Sequence, residues 1–94
     1  MLVELIQVFH RDNSYHLKSV FVNPQQIIFM SEDHKMKQDL QEGKIKLGLN
    51  QTFTSFTRLR MNMAGYVEEM VVVGDPGLVE NKIFNKTSKQ LLRG

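Results

Sequence analysis

The sequence predicts an α+β domain, mostly β: an antiparallel sheet or half-barrel of about five strands with a C-terminal helix. Three observations carry this. Short runs rich in β-branched and aromatic residues recur along the 94 residues, and polar turns separate them. After Gly74-Asp75-Pro76 the apolar period changes from that of a strand to that of a helix.

Residues 2–10 form the first strand, and Arg11-Asp12-Asn13-Ser14 is a polar turn whose Asp and Asn suit left-handed backbone. Residues 15–22 alternate and return antiparallel as a hairpin. Asn23-Pro24 ends that strand, because proline fixes its own φ, lacks a donor and turns Asn23 away from helix. Residues 26–31, with Ile27-Ile28-Phe29-Met30, are the third strand. Residues 33–51 are open to two readings. One is a mobile loop; the other combines one or two helical turns, from Met36 and Leu40 at i,i+4 spacing, with a short edge strand over 44–49. Residues 52–62 recover a period of two, residues 66–73 form the last strand, and Asp75 and Pro76 start the helix as N-cap and first helical residue. Leu78, Val79, Ile83 and Phe84 form its apolar stripe. Residues 85–94 continue it or form a flexible basic tail.

Length and composition set the class. A chain of 94 residues makes one domain, 1–94, since a single core normally takes roughly 100–150 residues. It has no cysteine, which excludes disulfides and Cys-based metal sites. No apolar run approaches the ~20 residues of a membrane span, and the first nine residues lack a basic leader, so the expectation is a cytoplasmic protein with no membrane contact. The strands at 27–30 and 70–73 are apolar on both faces, whereas one helix covers one face. The other face must curl or meet another chain, which predicts a homo-oligomer.

No catalytic constellation emerges, so the expectation is not an enzyme, with no cofactor and no metal. His10 and His16 flank the first turn and, with Asp12, come within reach of a shared metal ion across the hairpin, but the spacing matches no ligand motif. Glu68 and Glu69 point to opposite faces of a strand and cannot work as a pair. Gly74-Asp75-Pro76-Gly77 lacks the following Lys-Ser/Thr of a phosphate-binding loop. Two binding surfaces stand out. Phe56, Arg58 and Arg60 alternate on one face of a strand, where a ring could stack a base and guanidinium groups could bind phosphates; Lys35, Lys37, Lys44 and Lys46 would extend that face. The same alternation also describes a plain solvated strand. The second is the basic end of the helix, with Lys82, Lys86, Lys89 and Arg93, suited to an acidic partner groove or a nucleic acid, although its cations equally describe an exposed helix end that complements the helix dipole.

Val20-Phe21-Val22-Asn23-Pro24-Gln25-Gln26-Ile27-Ile28-Phe29-Met30 resembles the strand, Asn-Pro-x-x-Ile, strand segment of small FlbD-type proteins associated with flagellar gene regulation. The later strand pair and helix, through Val73 and Leu78-Val79-Glu80, keep the same order. The resemblance spans 15–32 and 56–84, departs at 33–52 and in the basic tail, and implies architecture alone. The chain is also similar in size and economy to compact β-rich accessory proteins of bacteriophages. Together these readings predict a small non-enzymatic binding or regulatory protein that docks on a macromolecular partner as a homo-oligomer, a protein partner being the first expectation. The alternative is nucleic-acid or nucleotide binding through Phe56, Arg58 and Arg60.

Overall fold

Strand β1 (Val3–Arg11) and strand β2 (Ser14–Val22) pair without a break from Val3↔Val22 to Arg11↔Ser14 in the computed structural model, which describes residues 1–93, with side-chain surroundings through Phe84. The two loop residues, Asp12 and Asn13, take φ of 53° and 62°. This left-handed pair matches the twist of the flanking strands, and both residue types tolerate it. The Asn23 side chain then accepts a hydrogen bond from the Gln25 N–H at 3.0 Å and opens a 3-10 turn, Pro24–Gln26, leading into β3 (Ile27–Glu32).

Helix α1 (His34–Gln41) follows, with β4 (Phe56–Met63), β5 (Tyr66–Val73) and α2 (Pro76–Arg93) after it. The five strands form one antiparallel sheet in the order β2-β1-β5-β4-β3, which does not close into a barrel. Asp75 caps α2, its carboxylate accepting the Leu78 N–H at 2.8 Å. Gly74, at φ 110°, lets the chain turn there while its N–H donates to the Ser55 carbonyl at 2.8 Å.

The alternation of side chains gives each face of the sheet its own core. On one face Val3, Leu5, Val22, Leu59, Met61 and Val72 pack with Val79 of α2. On the other, Val8 and Phe56 pack with Leu40 of α1 and Ile45. At the centre β1 meets β5 at Gln7↔Val72 and Val8↔Val71, and both cores straddle this join.

One open reading is decided and two expectations change. The segment 33–51 holds a two-turn helix, because Asp33 caps it and Met36 and Leu40 face the sheet. No strand forms over 44–49; Ile45 is buried instead, with Leu47 and Leu49 packed beside it. The second sheet face is therefore covered in part by this chain itself. Finally, β4 starts at Phe56 and not at 52, because the Asn50 side chain accepts the N–H groups of Thr52 and Phe53 at 2.9 and 2.8 Å and holds them in a turn.

Candidate functional site

Phe56, Arg58 and Arg60 do share a face of β4, and it is the α1 face of the sheet. Their surroundings differ from a stacking platform. Phe56 has 0% exposure, sealed beneath Leu40 and Ile45, and no base can reach its ring. The sequence placed this ring outward because 57, 59 and 61 make a complete inward set. Both sides of the strand are covered at Phe56, so alternation there does not separate core from solvent.

Each guanidinium has acidic partners. Arg58 donates to Asp33 at 3.0 Å and lies 3.7 Å from Glu69; Arg60 donates to the same Glu69 at 3.3 Å. The Asp33 side chain is nearly buried. The Arg58 pKa is raised, first by its hydrogen bond to Asp33 and then by the charges of Asp33 and Glu69, so this cation is held firmly. Arg60 also lies over the half-exposed Phe29 ring, 5.2 Å from its centroid. Two cations facing two carboxylates leave this row close to neutral, which weakens phosphate attraction. The expected basic extension is neutralised in part: Lys35 meets Asp39 at 3.3 Å and Lys44 meets Glu42 at 3.7 Å, whereas Lys37 donates to the Ser55 hydroxyl at 3.1 Å and Lys46 is exposed.

Beside Arg58, where β1 and β5 diverge, a shallow cleft of about 260 Å³ is lined by Val8, His10, Tyr15, Met36, Arg58 and Glu69. The His10 and Tyr15 rings pack 4.8 Å apart at its rim. It offers an imidazole and a phenol over an apolar floor. The idea that His10 and His16 share a metal ion fails on register. His10 pairs with Tyr15 on the α1 face and His16 with Phe9 on the α2 face, so the sheet stands between the imidazoles. Among the described residues no group of three His, Cys, Asp or Glu side chains is placed to hold a metal ion.

Lys82 is exposed on α2. Lys86, Lys89 and Arg93 lie outside the residues whose side chains are described. Sequence reasoning missed a second region at the start of α2. Phe53 and Leu78, 83% and 59% exposed, flank a 220 Å³ cleft that also includes Val73, Gly74 and Asp75. The Asn50 turn raises Phe53 there, and an Asn followed by Gln-Thr-Phe was the available signal. Asp33 was legible too, as a cap residue ahead of the Met36 and Leu40 spacing. No helix of the described residues is long and apolar enough to cross a membrane. No family model matches the chain, nor does any curated protein or solved structure.

Proposed function

We propose that this chain is a small non-enzymatic binding protein that docks on a protein partner and acts in regulation or assembly as a homo-oligomer. The observation that carries the reading is the contrast between two of its exposed surfaces. The Arg58–Arg60 row is neutralised by Asp33 and Glu69, whereas Phe53 and Leu78 stand open around an apolar cleft. Large apolar side chains that water surrounds on a small domain favour protein contact. Lys82 follows Leu78 by one helical turn, so the partner that fits is an apolar knob with acidic neighbours. A cytoplasmic setting is part of this proposal.

The second reading, nucleic-acid binding, has one observation in its favour, the exposed Phe29–Arg60 stack. Affinity capture separates the two. Bait carrying Phe53→Ser with Leu78→Ser should lose the protein that unmodified bait retains, and Arg58→Ala with Arg60→Ala should keep it. Capture abolished by nuclease, or unchanged by the Phe53 and Leu78 variants, would overturn the proposal.

A further inference from the structure

The two edges of the sheet are built differently. The β3 edge is six residues long, slips in register between Ile27 and Phe29, and follows the Pro24 turn. These are devices that blunt an edge against pairing. The β2 edge has none of them. It runs nine residues in unbroken register, without proline or bulge. Its one lysine, Lys18, folds back over the Phe9 ring of its own sheet, 4.7 Å from the centroid. An open edge of this kind is a template for another strand.

We infer that β2 pairs antiparallel with β2 of a second copy about a twofold axis at Ser19. The register follows from four constraints. In a two-residue hairpin Arg11 and Ser14 bond to each other, so the even residues of β2 direct their backbone groups to β1. Tyr15, Leu17, Ser19 and Phe21 then turn theirs outward. A twofold pair must match odd residues with odd, so its centre falls on a residue and not between two. The segment Gly43–Lys46 shares a cleft with Asn13, Ser14 and Tyr15, which leaves 16–22 as the clear stretch of edge, and its midpoint is Ser19. Centring on Lys18 would set two ammonium groups directly opposite, which is unfavourable.

Centring on Ser19 sets Phe21 opposite Leu17 of the second copy, twice, and Lys18 opposite Val20. Phe21 is 63% exposed in the single chain and Leu17 is partly buried, both on the α1 face. The pairing thus covers the largest apolar side chain of β2 with a partner from the same strand, and it joins the two sheets into one of ten strands. It gives the self-association in the proposed function a location, and rests on that part of the reading alone. Protein docking at Phe53 and Leu78 is independent of it.

The chain has no cysteine, so a single introduced thiol reports cleanly. Ser19 and its twofold mate would stand about 5.5 Å apart at Cα, as hydrogen-bonded antiparallel pairs do, within the span of a disulfide. Ser19→Cys should therefore oxidise to a covalent dimer faster than Gln38→Cys, on the exposed side of α1. Sedimentation of the unmodified chain should show a dimer. Ser19→Pro, which removes an N–H that the single chain does not use, should weaken it about tenfold or more with the fold intact. A monomer throughout, or equal crosslinking at Ser19 and Gln38, would overturn the pairing. If Ser19→Pro does not fold, the crosslinking comparison decides. A monomer that still captures its partner through Phe53 and Leu78 would overturn the pairing and leave docking standing.

Discussion

The Asp33 carboxylate holds two elements at once: one oxygen accepts the Met36 N–H at 3.0 Å and caps α1, and the other accepts from Arg58 of β4 at 3.0 Å. Its own N–H donates to the Phe56 carbonyl at 2.8 Å. Asp33 therefore fixes where α1 starts and which strand the helix lies against, and it sets the charge of the row that the sequence offered as a phosphate site.

These roles separate by substitution. Asp33→Ala removes the cap and the ion pair together, and should cost about 1–3 kcal/mol. Asp33→Asn keeps a good cap and removes the charge. Arg58 is about half exposed and retains Glu69, so its share is small, and Asp33→Asn should cost about 1 kcal/mol or less. Urea unfolding of both variants measures this; equal losses would mean that the ion pair, and not the cap, is the larger contribution.

Leu40 tests whether α1 is a structural element of the second core. It is 1% exposed and packs in the cluster with Phe56, Val8 and Ile45. Leu40→Ala should cost about 2–5 kcal/mol through lost contact and the cavity left behind. Amide exchange over α1 should be slow in the unmodified chain and rise in this variant. Fast exchange there in the unmodified chain would return the segment to the mobile loop that its polarity suggested.

Most of the fold was legible because each strand carries local punctuation. Asp12-Asn13 and Asn23-Pro24 mark turns through backbone preferences that tertiary context rarely overrides. The α1 segment was harder, since its apolar anchors, Met36, Leu40 and Ile45, are widely spaced among polar residues. Burial of Phe56 depends on that helix, so the site was misread for the same reason. Which cations were free was not readable at all. Arg58 and Asp33 are 25 residues apart, and their contact arises from the β3–β4 pairing and the cap together.

The end of β5 and the start of α2 give a graded pair of substitutions. Asp75→Ala removes the cap on the Leu78 N–H and should cost about 0.5–2 kcal/mol. Val72 has no exposure and faces the α2 core, so Val72→Asp places a charge without a partner among Val79, Leu59 and Leu5 and should abolish cooperative unfolding. Thermal melts followed by circular dichroism give the order. A Val72→Asp chain melting like Asp75→Ala would contradict the placement of β5 at the centre of the sheet.

Oligonucleotide binding is the last test, and its expected result is negative. A phosphate site needs cations with unspent charge, and counterion release then makes affinity fall steeply with salt. Arg58 and Arg60 face Asp33 and Glu69 at 3.0–3.7 Å, which offsets their field before any phosphate arrives. The ring that would have stacked a base, Phe56, is closed off, and Phe29 already carries Arg60. Fluorescence anisotropy with labelled single- and double-stranded oligonucleotides at low salt should therefore show no saturable binding. Glu69→Gln should be the informative variant, because it releases Arg60 while leaving Phe29 in place. If Glu69→Gln gains salt-sensitive binding that Phe29→Ala then weakens by about 1–3 kcal/mol, the surface is a stacking site held off by one carboxylate. Binding by the unmodified chain, lost on Arg60→Ala, would favour the nucleic-acid reading over protein docking.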